Sequence, residues 1–131
     1  MILTISGEPV GKGRPRFYGG HAVTPPKTRE YEERVRELFT YSRLKMIEGP
    51  VSVEVLAYYK IPKSATKSRK ENMRSGKEKP TIKPDIDNVV KAICDALNGY
   101  AYEDDKQIVQ LSAMKGYADE PKVIVQISSV R

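Results

Sequence analysis

The chain contains 131 residues, of which 23 are Lys or Arg and 17 are Asp or Glu, so its formal net charge is +6. This length supports one domain with a substantial hydrophobic core and is too short for two. A single histidine and a single cysteine exclude a multi-histidine zinc site and an internal disulfide. The excess of positive charge is typical of a protein that binds phosphate groups.

No apolar segment approaches the roughly 20 residues that a membrane-spanning helix needs. The first six residues, MILTIS, lack the basic start of a signal peptide. We therefore expect residues 1–131 to form one domain in the cytoplasm, with no membrane partner and no small-molecule cofactor.

The amino-terminal part of the sequence predicts a short strand over residues 1–6, followed by a loop over residues 7–20 that is rich in Gly, Pro and Arg. Arg14 and Arg16 in this loop are candidate DNA contacts, because a guanidinium group can donate two hydrogen bonds to one phosphate. A purely structural loop is the alternative.

A helix and a strand are predicted next. Residues 28–45 form the helix, with Thr28 as its cap and its polar face in solvent. Residues 51–59 alternate between apolar and polar side chains and predict the strand. The apolar side of the helix consists of Tyr31, Val35, Leu38 and Phe39, and its solvated face carries Glu32, Glu33 and Glu37.

The segment from Lys63 to Lys79 carries seven basic residues against two acidic ones. Residues 62–74 within it predict a basic helix. We interpret the segment as a DNA-binding surface, although a solvated loop is the alternative; a mobile basic loop is also able to clamp DNA. The candidate DNA contacts in this part of the chain are Lys67, Arg69, Lys70, Arg74 and Lys83.

The sequence KPDIDN at residues 83–88 leads into a helix predicted over residues 88–98. Asp87 or Asn88 is expected to cap this helix, and Asn98-Gly99 is expected to end it. Its apolar stripe consists of Ile86, Val90, Ile93 and Leu97, which recur at helical spacing.

Two clusters of aspartates lie at the ends of this unit, Asp85 with Asp87 before the helix and Asp104 with Asp105 after it. The helix advances the chain by roughly 16 Å, and an extended return over the next residues covers roughly 20 Å, so we expect the clusters to meet. Two carboxylates about 4 Å apart repel by roughly 4 kcal/mol at an effective dielectric constant near 20. The pocket therefore requires a cation, and oxygen ligands favour Mg²⁺, with Mn²⁺ as an alternative, over zinc.

Lys91 lies four residues after Asp87, one turn along the same face of the helix. Its ammonium group is placed to reach a phosphate or a leaving oxygen. Asp104 and Asp105 point to opposite sides of an extended chain, so one of them is expected to be the direct ligand. From the residues alone a structural alternative stays open, in which the aspartates are helix caps, turn residues and a surface charge ladder.

Residues 108–114 and 123–130 predict two closing strands around a turn at residues 116–121. The fold class is therefore α+β, with a mixed or antiparallel sheet of about four strands packed with about three helices. Several aromatic side chains are candidates for stacking on unpaired bases. They are Phe17, Tyr58, Tyr59, Tyr100 and Tyr102.

The segments KPDIDNVVKAICDALNG and YEDDKQI, with GEPVGKGRPRF near the amino terminus, resemble the RusA family of Holliday-junction resolvases, small endonucleases common in prophages. The resemblance spans most of the chain, and its central motif is the specific part. It implies that Asp85, Asp87 and Asp105 are the essential metal-binding carboxylates and that Asp104 supports them. It also implies that Lys91 is the essential base or phosphate-facing cation.

The resemblance implies a Mg²⁺-dependent endonuclease that resolves four-way junctions and related branched DNA by paired symmetric nicks, in recombination or repair. Because a four-way junction is two-fold symmetric, we expect two active sites and therefore a homodimer. The alternatives are a module that binds branched nucleic acid without catalysis and a different metal-dependent nuclease.

Overall fold

A four-stranded mixed sheet and three α-helices make up most of the fold. The computed structural model describes residues 1–130. The predicted α+β class, with about four strands in a mixed sheet and about three helices, is confirmed. The strands are β1 (Ile2–Ser6), β2 (Arg16–Tyr18), β3 (His21–Val23), β4 (Val51–Lys60), β5 (Ile108–Ala118) and β6 (Lys122–Ser129), and the helices are α1 (Pro26–Tyr41), α2 (Lys67–Ser75) and α3 (Ile86–Leu97).

The order of the strands determines where α3 lies. In the main sheet the order is β1-β6-β4-β5, with β4 antiparallel to β6 and parallel to β5. The two carboxy-terminal strands are confirmed, but they flank β4 instead of pairing with each other across their turn. A parallel pair needs a crossover connection, and the segment from β4 to β5 supplies one that contains both α2 and α3.

The core lies between one face of this sheet and the helices α1 and α3. The predicted alternation of β4 is confirmed, since Val51, Val53, Val55, Ala57 and Tyr59 are all 2% exposed or less. Ile93 and Leu97 of the predicted stripe on α3 are also buried, whereas Ile86 and Val90 are half-buried at its edge. Each large apolar side chain that is fully buried contributes about 1.5–3 kcal/mol, so α3 is firmly packed on the sheet.

A small hairpin that the sequence analysis missed begins within the predicted amino-terminal loop and extends past its end. β2 and β3 form a separate two-stranded sheet, and Gly19 and Gly20 between them have φ of +57° and +83°. Two positive φ values define the tight turn that suits an antiparallel pair, and glycine adopts them without strain. The strands are too short and too exposed to give a periodic pattern, so the glycine pair was the available signal.

The first helix differs from its prediction at both ends. It begins at Pro26 and ends at Tyr41, and the predicted cap Thr28 lies inside it, 2% exposed. The Thr28 hydroxyl accepts a hydrogen bond from the backbone N–H of Gly13 at 3.0 Å. Thr28 therefore holds the amino-terminal loop against α1 and does not cap the helix.

The basic helix α2 is shorter than predicted. It begins at Lys67, and the Thr66 hydroxyl caps it by accepting a hydrogen bond from the backbone N–H of Arg69 at 3.2 Å. Its buried anchor is Met73, which is 1% exposed. Among the described helices, none is both long and apolar enough to cross a membrane.

Candidate active site

Asp85 and Asp87 lie at the amino-terminal end of α3. The predicted cap is wrong by two or three residues, because α3 begins at Ile86 and Asp85 occupies the N-cap position. The Asp85 side chain makes no capping hydrogen bond, and Asp87 lies in the first turn. Both are exposed, so their carboxylates are available to a ligand. Their negative charge is also stabilised by the positive end of the helix dipole.

Two long-range hydrogen bonds fix the segment that leads into Asp85. The Tyr59 hydroxyl donates to the carbonyl oxygen of Pro84 at 2.6 Å, and the Lys115 ammonium donates to the carbonyl oxygen of Ile82 at 2.6 Å. Burial, followed by the carboxylates of Asp85 and Glu8, raises the pKa of Tyr59 to about 12. The hydroxyl therefore keeps its proton and stays a donor to the residue immediately before Asp85.

Tyr59→Phe tests this anchor. We expect the free energy of unfolding to fall by about 1 kcal/mol, because the Pro84 carbonyl loses its donor, and we expect DNA cleavage to fall several-fold as Asp85 becomes less well placed. Urea unfolding and cleavage kinetics measure the two effects. Tyr58→Phe is the matched control, since the Tyr58 hydroxyl makes no hydrogen bond to a described residue; equal effects of the two replacements would contradict the anchoring role.

Lys91 is part of a row of charges along α3. It lies between Asp87 and Asp95, one turn from each, and its ammonium nitrogen is 3.6 Å from a carboxylate oxygen of Asp95. The same oxygen of Asp95 is 3.2 Å from the ammonium nitrogen of Lys12. Lys91 is exposed, so it is free to turn from Asp95 toward a phosphate when one is present.

Lys12 ties this row to α1. Its ammonium group donates to Glu32 at 2.8 Å, and its backbone N–H donates to the carbonyl oxygen of Asn88 at 2.9 Å. Burial alone would lower the pKa of Lys12, but its hydrogen bonds to Glu32 and Asp95 outweigh burial and raise it. The assignment of Glu32 to a solvated face is wrong, because Glu32 is 5% exposed; its partner comes from a loop 20 residues away.

The acidic pair after α3 is divided between a structural and an exposed role. Asp104 caps a three-residue 3-10 helix, Asp105–Gln107, by accepting a hydrogen bond from the backbone N–H of Lys106 at 2.9 Å. This hydrogen bond is the largest cause of the lowered pKa of Asp104. Asp105 is exposed, and its backbone N–H donates to the side chain of Asn98 at 2.8 Å. Asp105 is therefore the better placed of the two to meet a ligand.

Gln107 fastens this acidic turn to the rest of the protein. Its side-chain oxygen accepts hydrogen bonds from the backbone N–H groups of Glu103 and Asp104 at 2.9 and 3.2 Å. Its side-chain nitrogen donates to the carbonyl oxygens of Ile47 and Gly49 at 3.0 and 2.9 Å. Four hydrogen bonds from one amide fix the position of the neighbouring aspartates.

The carboxy-terminal end of α3 is joined to the same turn by Tyr102. Its buried hydroxyl donates to the carbonyl oxygen of Cys94 at 2.7 Å. Burial, followed by interactions with Cys94, raises the pKa of Tyr102, and Asp105 contributes to the rise. Burial also raises the pKa of the Cys94 thiol, with a contribution from Asp105. The chain thus returns after α3 along its carboxy-terminal end, where the Asp105 N–H contacts Asn98.

Comparison with known proteins identifies the family. The sequence profile described as Endodeoxyribonuclease RusA matches residues 6–128. The chain belongs to the RusA endodeoxyribonuclease family. It is also 42% identical over 135 residues to "Uncharacterized protein YqaN" from Bacillus subtilis (strain 168), an alignment that covers 98% of this chain and 95% of that protein.

Membership of the RusA family indicates a divalent metal ion. The aspartate carboxylates are chemically suitable ligands for such an ion, but they do not surround one common position. Among residues 1–130, no three His, Cys, Asp or Glu side chains converge on one metal position, so the predicted meeting of both aspartate clusters is not seen in these side chains. Mg²⁺ commonly binds one or two carboxylates, with water and substrate phosphates completing its ligands. Asp85, Asp87 and Asp105 are exposed and suit that arrangement; their role as ligands stays a prediction.

The predicted DNA contacts divide into paired and unpaired cations. Arg69 binds Glu78 with contacts of 3.3 and 2.7 Å, and Arg74 binds Asp119 with contacts of 3.0–3.2 Å. These two arginines have to exchange a carboxylate for a phosphate if they contact DNA. The other predicted contacts form no ion pair with a described side chain; Lys70 is half-buried, and four are exposed: Arg14, Arg16, Lys67 and Lys83.

The aromatic candidates divide in the same way. Tyr59 and Tyr102 are buried and are not available to stack on bases, whereas Phe17 is 75% exposed and Tyr100 is 40% exposed. Tyr100 packs edge-on against Phe39, with ring centroids 6.4 Å apart. Phe17, on the exposed hairpin, is therefore the aromatic candidate whose ring is most available to stack on a base.

Sequence reasoning missed the residues that position the site. Lys12, Tyr59 and Gln107 all act through partners at least 20 residues away, so no local pattern identifies those contacts. A weak signal was present for Lys12, which lies between two glycines. A Cβ atom on Gly11 would lie 2.9 Å from the Cβ of Pro84, so the loop packs closely on the segment before α3.

Proposed function

We propose that this protein is a Mg²⁺-dependent, structure-specific endodeoxyribonuclease that resolves Holliday junctions and related branched DNA by paired symmetric nicks, in recombination or repair. The observation that carries the proposal is family membership over residues 6–128 combined with the position of the charged motif. Asp85 caps α3, Asp87 and Lys91 are exposed on it, and Asp105 is exposed where the chain returns near Asn98 at its carboxy-terminal end.

The chain's own residues divide the work of phosphodiester hydrolysis. Asp85, Asp87 and Asp105 would hold Mg²⁺, which when bound polarises the scissile phosphate and lowers the pKa of a bound water. Lys91 donates a hydrogen bond to a phosphate oxygen and stabilises the negative charge that develops there. The ammonium group of Lys12 lies 3.2 Å from Asp95 and offsets part of its negative charge. The attraction of Asp95 for Lys91 is therefore weaker.

Direct attack by water is the mechanism that fits the local side chains. Cys94 is the nucleophilic residue within the motif, but it is 8% exposed and burial raises the pKa of its thiol. A protonated, buried thiol is a poor nucleophile. The absence of a covalent intermediate leaves ordinary phosphate and hydroxyl ends at each nick, which a ligase can rejoin.

The substrate's symmetry calls for two copies of the site. A four-way junction has two equivalent strands to cut, and a two-fold homodimer presents two identical sites in matching orientation. We propose such a dimer on this ground and from the family.

Cleavage of a synthetic four-way junction tests the proposed function. The wild-type protein is incubated with the junction and with a linear duplex of the same arm sequence, in Mg²⁺, in Mn²⁺ and in EDTA. We expect paired nicks at symmetric positions in the junction, no comparable cutting of the duplex, and no cutting in EDTA. Tight junction binding without cutting in either metal would instead identify a binding module, and equal cutting of duplex and junction would identify a nuclease without structural selectivity.

A further inference from the structure

A groove of about 460 Å³ opens beside Asp85. The loop that contains Val10 and Gly11 lines it together with Lys83 and Pro84, and Lys27 from the start of α1 also lines it. Gly11 packs closely on the segment before α3, as a Cβ atom there would meet both Pro84 and Asn88, at 2.9 and 3.2 Å. A volume of this order accommodates a phosphate together with its attached sugar.

The groove has more positive than negative charge available to a ligand. Its lining includes three lysines and one carboxylate, that of Asp85. Lys12 is committed to Glu32 and Asp95 at 2.8 and 3.2 Å. Lys27 and Lys83 are exposed, and neither forms an ion pair with any described side chain.

The position of the two uncommitted lysines favours an anion over other ligands. Lys27 is the second residue of α1, where the partial positive charge of the helix end adds to that of its ammonium group. Lys83 lies two residues before Asp85. An anion bound by Lys27 and Lys83 would therefore lie next to the carboxylates of the proposed reaction. It would be bound by the two ammonium groups and would need no contact with those carboxylates.

We propose that this groove binds a backbone phosphate adjacent to the phosphate that is cut, with Lys27 and Lys83 as its cationic contacts. This inference rests on the proposed function, because that function defines which phosphate is cut. Lys27 is assigned as a DNA contact because of its position in the groove. Two lysines that reach one strand beside Asp85 set which phosphodiester bond lies over the carboxylates. Lys12, which also lines the groove, is held in place by its ion pairs with Glu32 and Asp95.

The test measures DNA binding in EDTA, where no cutting occurs. Lys27→Ala, Lys83→Ala and the double variant are titrated against the four-way junction by fluorescence anisotropy over a range of salt concentrations. Each single replacement is expected to weaken binding by about 5- to 10-fold near 0.1 M salt and to reduce the slope of log K against log salt by about 1. The double variant is expected to reduce the slope by about 2.

Lys45→Ala is the matched control. Lys45 is also exposed and follows the opposite end of α1, a helix of 16 residues that is about 24 Å long. Its replacement removes the same charge from the protein as a whole. If Lys27→Ala and Lys83→Ala bind the junction with the same affinity and the same salt dependence as Lys45→Ala, the proposal is overturned, even if the wild-type protein cuts junctions. Weakened binding by both variants would support the groove even if the wild-type protein cut nothing.

A second arm distinguishes a DNA phosphate from free phosphate. Inorganic phosphate is added at millimolar concentration to the wild-type protein and to the double variant, and its binding is followed by NMR chemical shifts. We expect shifts that are weak and unsaturated, since one phosphate lacks the neighbouring contacts of a strand. Saturable binding of inorganic phosphate that depends on both lysines, together with unchanged DNA affinity in the double variant, would assign the groove to a free phosphate and overturn the proposal.

Discussion

Asp105→Asn is expected to lower the rate of junction cleavage by at least about 100-fold, whereas Asp104→Asn is expected to leave the rate within about tenfold of wild type. The two replacements remove the same charge from adjacent positions. Asp105 is exposed beside α3, and an amide is a far weaker ligand for Mg²⁺ than a carboxylate. Asp104 caps the 3-10 helix, and asparagine is an equally good cap, so the turn that positions Asp105 is preserved.

Single-turnover cleavage with excess enzyme separates this effect from binding. Junction affinity in EDTA is expected to be unchanged or slightly improved in both variants, because each loses a negative charge near the DNA phosphates. Asp104→Ala serves as a third variant, since it removes the cap as well as the charge and is expected to reduce cleavage more than Asp104→Asn does. Loss of cleavage in Asp104→Asn with full activity in Asp105→Asn would reverse the assignment.

The parts of the site that the sequence predicted are those built from neighbours along the chain. The helix predicted over residues 88–98, and observed over residues 86–97, follows from apolar side chains at helical spacing, and Asp87 and Lys91 share a face because they are four residues apart. The inward alternation of β4 follows in the same way from a period of two. Each of these conclusions depends on the residues of one element, so it needs no knowledge of tertiary contacts.

The parts that the sequence analysis missed depend on contacts between distant residues. The pairing order of the sheet inserts β4 between β5 and β6. No property of the turn predicted at residues 116–121 reveals this, and residues 116–118 belong to β5. Glu32 lies at a position that a polar pattern assigns to solvent, yet Lys12 reaches it from another loop. The anchoring of the acidic turn by Gln107 spans 60 residues to Ile47. The whole fold determines which residues contact each other over such distances along the chain.

The ion pair between Lys12 and Glu32 is expected to be the costliest polar contact to break. The side chains are 17% and 7% exposed, so Lys12→Met leaves the Glu32 carboxylate mostly buried without a counter-charge. Removing one partner of a buried pair typically costs about 3–5 kcal/mol, and with this residual exposure we expect a loss of about 3 kcal/mol in the free energy of unfolding at neutral pH. The double variant Lys12→Met/Glu32→Gln is expected to recover much of that loss, because a neutral amide needs no counter-charge.

The pH dependence of the same pair gives an independent check by urea unfolding. The folded state raises the pKa of Lys12 above 10.5, so its contribution is fully present below that value and is lost as the pH rises through the folded pKa. The difference in stability between wild type and Lys12→Met is therefore expected to narrow at pH above 10.5, while Lys45→Met, at an exposed position, shows little difference at any pH. A difference below about 1 kcal/mol at neutral pH would show that solvent screens the pair as it does a surface ion pair.

Cleavage by Lys12→Met links this stability argument to the site. Without Lys12, the carboxylate of Asp95 has Lys91 as its remaining cationic neighbour, at 3.6 Å, and is expected to hold that ammonium group more firmly away from the phosphate. Asp95→Asn added to Lys12→Met releases Lys91 and is expected to restore cleavage more than it restores stability. Recovery of stability and cleavage in equal proportion would mean that Lys12 acts on the fold alone, because a purely structural defect affects both through the same folded fraction.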